Sequence, residues 1–157
     1  MSIPRQITDF LNSRNVAYRF CTHSPAYTAQ GTAHAQHVSG KELAKVVMVM
    51  ADDRLVMTVL PASHRVDLDR LAELLNAKKT RLAAEEEFKD VFPGCELGAM
   101  PPLGNLYNLE VWLDTSMEER PEIVFNAGTH VDSIQMRTAD LEALVQPKKG
   151  SFGILRH

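Results

Sequence analysis

The chain has 157 residues, 45% of them apolar and 24% charged, with 17 basic against 20 acidic side chains and a formal charge of −3. That length predicts a single domain over 1–157 with a hydrophobic core of its own, and the apolar share excludes wholesale disorder. The slight acidity excludes a protein that coats long nucleic acid by charge alone, though not one that grips one end of an RNA.

The first ten residues, MSIPRQITDF, lack the basic-then-apolar pattern of a secretion signal. Pro4 suits a first helical turn, and Ile3, Ile7, Phe10 and Leu11 recur at helical spacing, so 4–14 is predicted as an amphipathic helix. Val16, Tyr18 and Phe20 alternate, which predicts a strand over 16–22, broken by Ser24-Pro25. Residues 28–37 are rich in Ala, Gln and His and open on Thr28, a residue type that caps helices; Ser39-Gly40 breaks the chain again.

Two strong strands follow at 44–51 and 54–61, and Asp52-Asp53 between them reads as a hairpin turn. Asp67 is placed to cap a helix over 68–76, with Leu68, Leu71, Leu74 and Leu75 on one face. Residues 80–83 form a short strand candidate. Glu85, Glu86 and Glu87 open another helix and read as its solvated first turn, where the helix dipole favours acids. Residues 92–104, with three Gly and three Pro among interleaved apolar residues, read as a structured loop. Strands are predicted at 109–114, 121–126 and 132–137, then a helix over 139–145 opened by Thr138 or Asp140. The tail from Pro147 reads as frayed and peripheral.

Hairpins outnumber regular strand–helix–strand units. The fold class predicted is therefore α+β, with a mixed, partly antiparallel sheet of six or seven strands that curls toward a barrel, flanked by helices. The apolar runs at 46–51 and 55–62 fall far short of the ~20 residues of a membrane helix. Cys21 and Cys95 form no CxxC pair, so the expected compartment is the reducing cytoplasm.

Three places could carry chemistry. Lys45 begins a strand that is otherwise apolar, sharing a face with Val47 and Val49. It reads either as a strand-end lysine that snorkels to water or as a cation at the rim of an apolar pocket, set to meet an anion or a carbonyl. The run Gly98-Ala99-Met100-Pro101-Pro102 is either a plain turn or a stiffened loop whose backbone N–H groups point inward, as an oxyanion hole requires. In Phe125-Asn126-Ala127-Gly128-Thr129-His130 a strand ends in a glycine turn, where His130 is a cleft donor or merely a turn residue. His34 and His37 lack a supporting zinc motif, no metal or cofactor is expected, and no nucleophile elbow, Walker loop or dinucleotide fingerprint is present. Lys78, Lys79 and Arg81, with Arg65, Arg70, Lys148 and Lys149, read by default as scattered solvated charge, and could hold a few phosphates if they share a face.

Taken in order, four segments resemble the YbaK/ProX-type aminoacyl-tRNA deacylases, relatives of the editing domain inserted in bacterial prolyl-tRNA synthetase. They are His23-Ser24-Pro25-Ala26-Tyr27-Thr28-Ala29, Val38-Ser39-Gly40-Lys41-Glu42-Leu43-Ala44-Lys45-Val46-Val47, Gly98 to Pro102, and Phe125 to His130. The resemblance spans about residues 4–146. It implies hydrolysis of the ester between a wrong amino acid and the tRNA 3′ adenosine by a free-standing, trans-acting editor. It implies the essential lysine at Lys45, the Gly-x-x-x-Pro loop at Gly98 and Pro102, and a substrate-pocket position at His130.

The expected catalytic set is Lys45, Gly98, Ala99, Met100 and Pro102; the expected substrate-binding set is Tyr27, Val47, Val49, Asn126, Gly128 and His130. An aminoacyl ester is already activated, so positioning, water and oxyanion stabilisation suffice without a covalent nucleophile. Val47 and Val49 would leave a shallow apolar pocket closed by Met100 and His130. That pocket favours alanine on tRNA-Pro, with cysteine, serine and threonine as rivals. The expected partner is the acceptor end of mischarged tRNA, with a synthetase as an open second partner, and neither DNA nor membrane. The alternative reading is a non-catalytic module that binds aminoacyl-tRNA or protein on the same fold.

Overall fold

A computed structural model describes residues 3–22 and 43–155. The expectations for the segment over 28–37, for His23, His34 and His37, and for Tyr27 lie outside the described residues.

The first helix, α1 (Arg5–Ser13), buries Ile7 and Leu11 completely, one turn apart on one face. Strand β1 (Tyr18–Thr22) pairs antiparallel with β8 (Asp132–Arg137), which pairs antiparallel with β7 (Glu122–Asn126). The larger sheet has five strands in the order β5 (Thr80–Leu82), β2 (Ala44–Ala51), β3 (Arg54–Pro61), β6 (Glu110–Asp114) and β9 (Lys148–Gly150). Within it β5, β2 and β3 are antiparallel neighbours, while β3, β6 and β9 run parallel.

Period-two alternation splits the large sheet between two cores. Ala44 and Met48 of β2, Met57 and Val59 of β3, and Val111 and Leu113 of β6 face the first core, with α1 and the apolar side of β7 and β8. Val49 and Ala51, Val56 and Leu60, and Trp112 face the second. There they meet Leu71 and Leu75 of α2 (Leu68–Leu75) and the ring of Phe152. A sheet covered on both faces needs apolar residues at consecutive positions, which is why β2 and β3 read as unbroken runs.

The hairpin turns at Asp52-Asp53 as expected, Ala51 facing Arg54. The Asp52 carboxylate also accepts the backbone N–H groups of Lys78 and Lys79, pinning the start of β5. Asp67 caps α2 by accepting Arg70 N–H at 3.1 Å, and Asn76, in the left-handed region, ends it.

Two expectations need correction. The sheets do not close into a barrel among the described residues: they join at one corner, where Leu43 bridges Val124 beside the head of β2. Nor is the tail frayed. It supplies β9, parallel to β6, and β10 (Gly153–Leu155), antiparallel to β4 (His64–Val66). Asp114, buried, accepts Phe152 N–H at 2.9 Å and Gly153 N–H at 2.7 Å, and also the N–H and hydroxyl of Ser116. Those bonds, with the fully buried Phe152 ring, fix the segment. A short helix α3 (Glu85–Phe88) follows β5, and α4 (Thr138–Val145) precedes the tail.

Candidate functional site

A groove of about 230 Å³ opens at the edge of the large sheet. Its floor is Val46 to Met48 of β2; one wall is Leu82, Ala83, Glu85 and Phe88, from the end of β5 to α3; the other is Leu97, Gly98 and Met100. The volume lies below the ~300–1,000 Å³ typical of drug-sized ligands, so it suits a group the size of one amino acid.

The α3 wall is fixed by one ion pair. Arg81 donates two parallel bonds to Glu87, at 2.6 and 2.7 Å, and Glu87 also accepts Ala84 N–H. These bonds, the guanidinium first, hold the Glu87 carboxyl down at about 2 and push the Arg81 guanidinium up.

The opposite wall is a loop stitched to the glycine turn after β7. Glu96 N–H donates to Gly128 O at 2.8 Å and Gly128 N–H to Ala99 O at 2.8 Å. His130, buried, sets Nε2 2.9 Å from Leu97 O and 3.8 Å from Glu96 Oε2. Gly98 has φ +87°, and a Cβ there would stand 3.3 Å from His130 Cε1. Gly128 has φ +92°, and a Cβ there would fall 2.6 Å from Pro4 Cδ. Both positions need glycine's freedom at positive φ, and Gly128 needs its lack of a side chain as well. Thr129 Oγ1 accepts the N–H groups of Val131 and Asp132 and donates to Asp132 Oδ2, which rounds off the turn.

The backbone donors of the loop are unequal. Ala99 N–H is closed into its own turn on Glu96 O at 3.1 Å. Gly98 N–H meets the thioether Sδ of Met100 at 3.2 Å. Sulfur is a weak acceptor that an anionic oxygen would readily replace. Pro101 and Pro102 are buried behind Met100 and brace the loop.

The structure brings together Gly98, Met100, Gly128 and His130, with Val47 on the groove floor. His130 is a latch on Leu97 rather than a wall of the groove. Asn126, opposite Ser133 at the end of β7, has a buried Oδ1 with no partner among the described residues. Val49 is fully buried in the second core, on the far face of the sheet from the loop, where no ligand in the groove can touch it. Lys45 sits half-buried at the head of β2, opposite Leu60 and next to Val46. Alternation puts its Cβ on the face of Val47 and Val49, not on that of Val46 and Met48.

The sequence reading missed Leu82, Ala83, Glu85, Phe88 and Leu97. Only the pairing of β5 with β2 shows that Leu82 and the residues just after it face the strand headed by Lys45, and Leu97 comes to the groove from the opposite loop. A larger groove, about 540 Å³, lies at the other end of β2 and gathers Lys78, Lys79 and Arg81 with Asp52 and Asp53. Its two carboxylates, and the commitment of Arg81 to Glu87, offset the basic charge. Among the described residues no three His, Cys, Asp or Glu gather to hold a metal ion, and no helix is long and apolar enough to cross a membrane.

Residues 23–144 match the family model described as the aminoacyl-tRNA editing domain. A similar protein is the multifunctional Ser/Thr-tRNA deacylase ProXp-y of Escherichia coli K12, 26% identical over 153 residues that cover 94% of this chain and 91% of the relative. The proline–tRNA ligase of Bacillus subtilis is 32% identical over 95 residues, 59% of this chain and 17% of the ligase. Among solved structures, hypothetical protein APE2540 matches with a TM-score of 0.85 at 18% identity, covering 95% of this chain and 99% of that one. A crystal structure assigned to a trans-editing enzyme for prolyl tRNA synthetase gives 0.79 at 22% identity, covering 96% of each chain. At these identities the two structures establish likeness of fold.

Proposed function

The chain belongs to the aminoacyl-tRNA editing domain family and is by that membership an aminoacyl-tRNA hydrolase, and we propose that it frees a small amino acid, alanine before serine, threonine or cysteine, from mischarged tRNA in the groove beside Gly98. The observation that carries this reading is the groove itself: amino-acid-sized, walled by Val46, Met48, Phe88 and Met100, with a weakly capped backbone donor at its rim.

In this reading the aminoacyl side chain enters the groove and the ester carbonyl faces Gly98 N–H. Attack of water on the carbonyl carbon develops negative charge on its oxygen. That oxygen displaces the Met100 thioether and takes the donor, which gains most where water is excluded. The tetrahedral intermediate expels the ribose oxygen, which leaves with a proton as a hydroxyl. Among the described residues lining the groove the one acidic side chain is Glu85; in this reading the neighbouring ribose hydroxyl, next to the scissile ester, orients the water. His130 keeps Leu97, and with it Gly98, at the rim.

Lys45 stands at the head of β2, half-buried, with its Cβ on the face of Val47 and Val49 rather than that of Met48. That position favours its anchoring the terminal phosphate over its polarising the ester. The apolar walls favour a methyl side chain. Serine and threonine stand second because the Escherichia coli relative is named for them. The test is release of amino acid from alanyl-, seryl-, threonyl- and cysteinyl-tRNA by the purified chain under one set of conditions. Alanyl-tRNA is expected to turn over fastest, and a chain that binds these tRNAs but hydrolyses none would be the non-catalytic module instead.

A further inference from the structure

Among the described residues that line the groove, one side chain is acidic. Glu85, the first residue of α3, lines it beside Ala83 and Phe88. Its neighbour Glu87 is taken by Arg81 and Ala84, whereas the Glu85 carboxylate makes no hydrogen bond or ion pair to another described residue; only its backbone carbonyl does, accepting Lys89 N–H. Glu85 is exposed at the side of the groove; an ester bound there excludes part of its water, and the carboxylate then attracts a cation and repels a phosphate with less screening than in open solvent. It is badly placed to serve the RNA backbone. An amino acid ester presents one cation, the α-ammonium, two bonds from the carbonyl carbon under attack.

We propose that Glu85 reads this α-ammonium, so that the site hydrolyses esters of free amino acids and passes over esters whose amine is acylated, such as formylaminoacyl- and peptidyl-tRNA. The proposal rests on the groove being the aminoacyl pocket. An N-acyl amide brings no charge to the carboxylate and adds bulk beside it. The side chain then contributes specificity at the substrate, with no part in proton transfer.

The experiment compares alanyl-tRNA (seryl-tRNA if that is faster) with the same tRNA after acetylation of its α-amine. Wild type, Glu85→Gln and Glu85→Asp are measured on both. Loss of one charge-assisted contact predicts that Glu85→Gln lowers kcat/KM on the free-amine ester about 10–100-fold. The acetylated ester should lose far less, so the preference between the two collapses, and Glu85→Asp, which keeps the charge, should retain most of it. A Glu85→Gln enzyme with the wild-type preference would overturn the assignment. Val46→Phe, filling the groove from the sheet side with its fold checked by circular dichroism, separates the two levels; Leu97→Phe at the exposed rim serves if it does not fold. Full activity in the filled variant would remove the pocket reading itself, whereas loss of activity beside an unchanged preference in Glu85→Gln would remove only the role of Glu85.

Discussion

At Gly98, chemistry and backbone geometry fall on the same atoms. A methyl group there meets both the strain of a positive φ and the imidazole of His130 at 3.3 Å. Gly98→Ala should therefore lower kcat about 100-fold, the cost of a lost oxyanion donor, with a smaller change in KM; a change in KM alone would make the loop a clamp. For Lys45 the discriminating substrate is an alanyl ester of adenosine without phosphate. Lys45→Ala should cut kcat/KM on alanyl-tRNA about 100-fold and leave the nucleoside ester almost unaffected; equal losses would mean that the lysine acts on the ester. The Arg81–Glu87 pair gives a prediction in pH. Because the folded carboxyl titrates near 2, below its ordinary 4.5, the pair's contribution is complete above about 4.5 and is lost as pH falls toward 2. Arg81→Gln should raise the Glu87 midpoint toward the usual carboxylate range by NMR titration, short of it because the Ala84 N–H bond remains, and an unmoved midpoint would refute the cause given. Lys45, Gly98 and His130 stand out as candidates in the sequence because each breaks a local pattern, and the resemblance supplies their expected roles. Glu85 reads as a solvated first-turn acid and is exposed in the structure; only its place on the groove wall was not legible.

Among elements, legibility followed local signal. The β2–β3 hairpin and α2 carry their own turn and cap, Asp52-Asp53 and Asp67, so their ends were visible in the chain. Strands β4, β9 and β10 were not, because three-residue strands with polar residues such as Lys148 and Lys149 have no alternation to detect. Their order comes from a distant carboxylate, Asp114, which takes the N–H groups of Phe152 and Gly153. Asp114→Ala should thus cost about 3 kcal/mol through orphaned donors. Phe152→Ala should cost about 3–5 kcal/mol through a cavity in the second core. Urea denaturation measures both, and a loss under about 0.5 kcal/mol in either, the range of an ordinary surface change, would mean that the tail is peripheral after all.

For the molecule as a whole, the two-core arrangement assigns roles to the faces of the large sheet. The second core, with α2 and Phe152, fills one face with packing. The other face carries the first core and, at its edge, the groove, so the alternation of β2 sends Met48 toward the groove and Val49 away from it. That division was not legible from the run Val46 to Met50, in which every residue is apolar. Under the proposed function the groove acts as a sieve set by its walls, and a sieve accepts what is small enough: a methylene is worth only ~1–3 kcal/mol to a synthetase choosing between small side chains, so the second site must exclude by size what the first has correctly chosen. The most direct measurement is the rate of hydrolysis of alanyl-tRNA-Pro beside prolyl-tRNA-Pro, the same RNA differing only in the amino acid. The account predicts rapid release of alanine with the prolyl ester left intact, and hydrolysis of both at similar rates would contradict it.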